Sequence, residues 1–330
     1  MRRARANLAP LRVMKLVDAS TQVAGNHSHG LRAKQSACGT WFYKPEVRDD
    51  ERGCTERAFY DAHVEEAIAC EAAIASTSYA ERANAVEDSA EECGHACAMV
   101  KSTRETSEET LMALRMFYAR RVPRCPAANA ALDVNGYLRL ENLTMGYERP
   151  CVIDLKIGMR TWDRKHAREY AEKRAKSDEG TTHGTLGFKL CGAQMFTADG
   201  RLIRLSRAQC KAIRTNETLT RELLEDFVRD PVTGKVHKWF WPALLRQLLS
   251  EPLWALRHRL VGSSLLVIYE SGKLSPSTRG LEEAICVPES KLEARYIDFC
   301  HAVPKESADE VDENFEGGLR LFQRFVETMM

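Results

Sequence analysis

The sequence predicts a mixed α+β chain. Short runs of apolar, β-branched and aromatic residues recur at Thr40–Lys44, Tyr137–Leu140, Cys151–Ile153 and Leu265–Ile268, which are strand signals. Other stretches carry apolar residues at helical spacing, as through Leu219, Leu223 and Phe227 or Leu244, Leu248 and Leu249. At 330 residues the chain has room for one large domain or two lobes with a sizeable core.

Totals set bounds on partners. Lys plus Arg is 48 and Asp plus Glu is 47, so net charge gives no signal for a nucleic-acid or membrane partner. Any basic site must be local. The apolar runs fall short of the roughly 20 residues a membrane helix requires, so no stable membrane insertion is expected. Eleven cysteines are scattered without a signal peptide in front, which points to free thiols in a reducing compartment, cytoplasmic and/or nuclear. Residues 1–12 hold Arg2, Arg3, Arg5 and Arg12 and no acid. A flexible basic tail is expected there, with a mitochondrial transit segment as the alternative.

In chain order, Leu11–Val17 reads as a strand. Gln22-Val23-Ala24-Gly25 follows and leads into the polar turn Asn26–Gly30. Thr40–Lys44 is a second strand. Glu56 opens a helix running to about Ala75, with Val64, Ala67, Ile68 and Ala72 as its apolar stripe. Residues 76–110 are rich in Ser, Thr, Ala and Glu and read as a surface insertion. Cys93, His95 and Cys97 lie inside it, but a fourth zinc ligand at motif spacing is missing. Leu111–Tyr118 is helical by pattern, and Val122-Pro123 leads into a further strand region. Asn135-Gly136 is a hairpin turn signal before the strand Tyr137–Leu140.

Pro150-Cys-Val-Ile-Asp-Leu-Lys-Ile-Gly158 is the most informative stretch. Strand alternation puts Asp154 and Lys156 on one face, at the end of a buried run. Such a pair can meet a hydroxyl and a phosphate together. An ordinary structural ion pair is the competing reading. Asp163–Ser177 reads as a polar helix, and its segment from Arg164 to Lys176 carries six basic residues against Glu169 and Glu172. That is either a solvated face or a grip on a polyanion. Thr185–Gln194 and Ser263–Glu270 read as strands, Ser206–Phe227 and Trp239–Arg257 as mainly helical, with Ser206 as an N-cap. Tyr296-Ile297-Asp298-Phe299-Cys300-His301 places a carboxylate after a short apolar strand.

The pattern Pro-x-x-x-Asp-x-Lys-x-Gly at 150–158 resembles the signature of the inositol polyphosphate kinases. Other elements agree in order: Gln22–Asn26, with Asn26 where His is usual; Lys44-Pro45; Glu56-x-x-Phe59-Tyr60; and Leu186–Gln194, with Lys189 where Arg is common. Ser263-Ser264-Leu265-Leu266, Ile297–His301 with Cys300 for Ala, and Asp312–Leu319 complete the set, so the resemblance covers about residues 13–326. It implies an α+β, two-lobed kinase-like fold with antiparallel sheets, helices and ATP between the lobes. The implied lobes are 13–141, carrying the insertion, and 142–330, carrying an inositol phosphate-binding helix at about 163–177.

The resemblance also implies roles. Lys44 would hold the ATP phosphates, with Glu56 orienting it. Backbone groups at Glu141 and Leu143 would bind adenine, and Ser264 would sit near the nucleotide. Asp298 would hold Mg²⁺. Asp154 would order the acceptor hydroxyl or take its proton, or else hold the ribose. Lys156 would bridge the moving phosphoryl and an acceptor phosphate. Lys165, Arg168, Lys173, Lys189 and His301 would meet the small-molecule inositol phosphate. The expected protein is a monomeric kinase of the multikinase type, acting on inositol tris- and tetrakisphosphate. Alternatives are a hexakisphosphate kinase and an inactive scaffold. A protein kinase is excluded, because His-Arg-Asp is absent and Cys300 stands where a glycine would follow Asp-Phe.

Overall fold

A computed structural model describes residues 16–18, 33–36, 38–46, 55–60, 108–125, 136–231, 233–271, 292–307 and 309–330. The basic tail, the Gln22–Gly30 stretch, the helix beyond residue 60 and the Cys93, His95 and Cys97 group lie outside these residues.

Two antiparallel sheets organise the chain, as the α+β reading expects. The smaller runs β1 (Leu16–Asp18), β2 (Lys34–Ser36), β3 (Trp41–Pro45) and β4 (Tyr137–Glu141) in that order. The larger has the order β10-β9-β5-β6-β7. Its members are β5 (Pro150–Ile157), β6 (Phe188–Phe196), β7 (Leu202–Arg204), β9 (Ser264–Glu270) and β10 (Leu292–Ile297). A two-stranded pair joins β8 (His258–Arg259) to β11 (Val303–Pro304). Because β5 is hydrogen-bonded on both sides, to β6 and β9, its run from Cys151 to Ile153 is almost fully buried.

Residues 55–60 begin the first helix, α1. Helix α2 (Glu108–Arg121) starts earlier than its apolar pattern suggests and packs against β10, where Phe117 stacks on Tyr296 at 5.7 Å. Arg121 pins its end to Glu251 at 2.6 Å and to the Gln247 carbonyl at 3.1 Å. So α2, which precedes β4 in the chain, belongs by packing with the larger sheet. The Val122 amide closes the last turn of α2 on Tyr118, and the strand region expected after Val122-Pro123 runs into residues outside those described.

Helix α3 (Arg168–Asp178) starts five residues later than expected, because Asp163–His166 is a separate turn. A short helix, α4 (His183–Leu186), follows it. The stretch read as one helix from Ser206 is two, α5 (Arg207–Ile213) and α6 (Glu217–Phe227), with Ser206 and Asn216 as N-caps. Helix α7 (Phe240–Leu249) precedes a short 3₁₀ turn, Leu253–Ala255. Helix α8 (Glu313–Glu327) is capped by Asp312, which accepts from the Phe315 amide at 3.0 Å. Its buried stripe Phe315, Leu319, Phe322 and Val326 lies in the common core, with Phe322 edge-on to Phe188 of β6 at 5.2 Å.

Three glycines let α8 abut the central strand. A Cβ on Gly318 would stand 2.5 Å from the Gly158 Cα, and one on Gly187 would stand 2.1 Å from the Gly318 carbonyl oxygen. Gly187 also adopts φ 77°, in the left-handed region. Gly318→Ala should therefore cost stability as overpacking does, about 1–3 kcal/mol, read as a lower midpoint in chemical denaturation. An unchanged midpoint would contradict this contact.

Candidate active site

The site begins on β5. Asp154 and Lys156 share one face, and the larger sheet buries the carboxylate to 4% exposure. Opposite Asp154 stands Gly192, and the pairing with β6 then slips, so that Leu155 faces Leu190 and Cys191 is the extra residue. The bulge brings the Cys191 thiol close to both charged residues, and burial pushes that thiol up to about 12. Burial and the charge of Asp298 raise Asp154 to about 6, against Lys156, the Ser264 hydroxyl and Lys44, which favour its ionised form. The Oδ1 atom of Asp154 and the hydroxyls of Ser263 and Ser264 are buried without a well-formed hydrogen bond among the described residues. Asp154 and Ser264 lie on the same face of the sheet, and buried polar atoms left over there mark a candidate ligand position. Lys156 donates to the Gly262 carbonyl. Burial works against its charge, and neighbouring acidic groups, Cys191 and Asp298 first, outweigh that and raise its pKa.

The smaller sheet supplies the opposing cation. Lys44, at the end of β3, bonds to Glu56 of α1 at 2.8 Å and is also paired with Asp298. Burial opposes its charge, but Asp298 and Glu56 together hold its pKa well above the ordinary value. Asp298 follows β10 with φ 65°, an uncommon conformation for a residue with a side chain. Burial disfavours its charge, yet Lys44 and Lys156 pull its pKa down to about 2. It is thus an anion at any working pH. Phe299 stacks on Phe59 at 3.9 Å, so the helix that carries Glu56 is clasped to the residue after Asp298. Lys44, Glu56, Asp154, Lys156, Ser264 and Asp298 lie near one another.

Other expected residues have different placements. His301 accepts or donates a 2.9 Å hydrogen bond with the Tyr170 hydroxyl of α3. Lys165 bonds to Glu306 at 3.2 Å and to the Pro304 carbonyl at 3.3 Å. Arg168 is exposed and bonded to Glu172 at 2.7 Å, and Lys173 is exposed. Lys189 requires a correction. Read as a grip on the acceptor, it is instead 4% exposed with its ammonium 2.8 Å from Asp178, because the bulge turns it inward under α3. The Glu141 amide donates to the Arg124 carbonyl at 2.7 Å, and its carboxylate accepts from the Arg124 guanidinium at 3.3 Å. Next to it, Asn142 ties the connection between the sheets to the Gly39 carbonyl at 2.6 Å. Leu143 lies half-buried in that connection.

The family model for inositol polyphosphate kinase matches residues 137–327, more than half of the chain. The chain belongs to the inositol polyphosphate kinase family. Members of this family are kinases. Among similar proteins is inositol polyphosphate multikinase alpha of Arabidopsis thaliana, 25% identical over 58% of this chain and 68% of that protein. Inositol hexakisphosphate kinase 1 of Saccharomyces cerevisiae is 30% identical over 55% of this chain and 17% of that protein. A crystal structure of the S. cerevisiae inositol phosphate multikinase Ipk2, in complex with ADP and Mn²⁺, aligns with TM-score 0.48 and 23% identity, over 58% of this chain and 83% of that one.

An inositol polyphosphate kinase site has to accommodate a divalent cation beside nucleotide phosphates. The residues fit. Asp298 is a permanent anion beside a second, orphaned carboxylate oxygen on Asp154. Tyr170, Gly262 and Asp178 were not singled out in the sequence. For α3 a signal existed: Tyr170, Arg174 and Asp178 recur every four residues, along one face of a helix.

Proposed function

We propose that this chain transfers the γ-phosphoryl group of ATP to a hydroxyl of an inositol phosphate, with tris- and tetrakisphosphates as acceptors. The observation that carries the reading is the reach of α3. A helix rich in basic residues is bonded through Tyr170 to His301, three residues beyond the anionic Asp298 and close to Gly262, whose carbonyl Lys156 meets. A basic helix so anchored supports a polyanionic acceptor as the substrate.

Bound Mg²⁺, held by Asp298, would neutralise the nucleotide phosphates. Lys44, fixed by Glu56, meets those phosphates from the smaller sheet. Asp154 orders the acceptor hydroxyl and takes its proton, a role suited to a carboxylate whose pKa burial has brought to about 6. Lys156 lies two residues away on the same face, where its charge follows the phosphoryl group from nucleotide to acceptor. Catalysis is then mainly positioning and charge stabilisation.

The test is incubation of purified protein with ATP, Mg²⁺ and a panel of inositol phosphates, with the products separated by charge. Conversion of tris- and tetrakisphosphates is expected. Hexakisphosphate as the preferred acceptor would favour the second reading, which the similarity to hexakisphosphate kinases supports. Turnover of none of the panel would overturn both.

A further inference from the structure

Helix α3 has 11 residues and buries none of them. A helix this short is marginal alone, and one without an apolar face gains little from packing. What holds it is its polar stripe. Tyr170 meets His301 at 2.9 Å. Arg174 donates to the Thr161 hydroxyl at 2.7 Å. Asp178 accepts from the Thr161 amide at 2.7 Å, from its hydroxyl at 2.8 Å, and from Lys189 at 2.8 Å. Thr161 is fully buried and lies three residues beyond Gly158, in the segment that leaves β5. Lys189 stands directly opposite Lys156 in the β5–β6 ladder. Residues opposite one another in an antiparallel pair share a face, and like charges there repel. Asp178 is the counterion that lets Lys189 stay beside Lys156.

We propose that Asp178 is a positioning residue: by gripping Thr161 and Lys189 at once, it sets the basic helix in register with the reacting strand and so fixes where the acceptor's phosphates bind. The proposal rests on the inositol phosphate reading above. It concerns placement of the acceptor only, because none of these contacts reaches Lys44, Glu56 or the connection at Asn142. A small misplacement of a positioning element is costly when the reacting atoms must meet within ångströms.

Asp178→Asn keeps the shape and removes the charge. It should raise KM for the inositol phosphate at least about tenfold, with KM for ATP within about twofold of wild type. Amide hydrogen exchange over residues 161–179 should quicken, with β5 and β9 unchanged. Asp178→Asn combined with Lys189→Met removes both charges, and should leave the acceptor KM less impaired than the two single effects predict. Thr161→Val, which keeps the ion pair, should shift the acceptor KM in the same direction by a smaller factor, and it decides the matter should Asp178→Asn fail to fold. Equal changes in both KM values, or an unchanged acceptor KM with unchanged exchange, would overturn the proposal. Wild-type protein that phosphorylates no inositol phosphate sinks the functional reading instead, and the exchange experiment still judges whether Asp178 anchors the helix.

Discussion

Lys156→Met should lower kcat by about 10³-fold or more, the scale of removing a preorganised charge from a site where charge moves. The fold should survive. Asp298 keeps Lys44 as partner, and the methionine stem fills the space of the lysine stem. The only described hydrogen bond lost is the one to the Gly262 carbonyl. Lys156→Arg should not restore the rate, since a planar fork cannot follow a moving phosphoryl group as a compact ammonium can. Thermal unfolding and single-turnover kinetics on the same preparation are the measurements. Near wild-type turnover in Lys156→Met would remove this residue from the chemistry.

Asp154→Asn should lose about 10²- to 10⁴-fold in kcat, the range for a general base. Two further readouts separate that role from a merely structural one. In wild type the rate should fall as pH drops through about 6, because the protonated carboxyl accepts nothing. That acid limb should vanish from whatever activity the variant keeps. Stability should move the other way. The folded carboxyl titrates near 6 against 3.8 for the free group, so the unfolded chain gives up its proton more readily. Ionisation of Asp154 therefore costs stability progressively from about pH 4 to 6, and the cost stays in full above that. Asn, without charge, should leave the protein equally or more stable at neutral pH. A variant that is both inactive and unstable at pH 7 would point to structure alone, not to a base.

Much of this site was legible because its chemistry sits on regular elements. Asp154 and Lys156 are two apart on a strand, so alternation alone puts them together. Lys44 ends a strand and Glu56 opens a helix, and a buried ammonium requires a counterion. Other features had no local trace. The slip at Cys191 depends on the neighbouring strand, and it is the slip that turns Lys189 toward α3. Strands β7, β8 and β11 have two or three residues each, too few for any period to show. The charges of α3 could be counted from the sequence, but counting missed their order: Arg168, Lys173 and Lys176 are exposed, while Tyr170, Arg174 and Asp178 are bonded to the body of the protein. The Glu141 amide is bonded to Arg124, a partner seventeen residues earlier that no local pattern encodes.

The contact of Gly158, Gly187 and Gly318 has one more consequence. Where side chains separate two elements, small rotations about χ angles let them slide. Here bare main chain lies on bare main chain, and no such slack exists. The junction of β5, α4 and α8 must then behave as a single stiff plate, moving as one body when its surroundings shift.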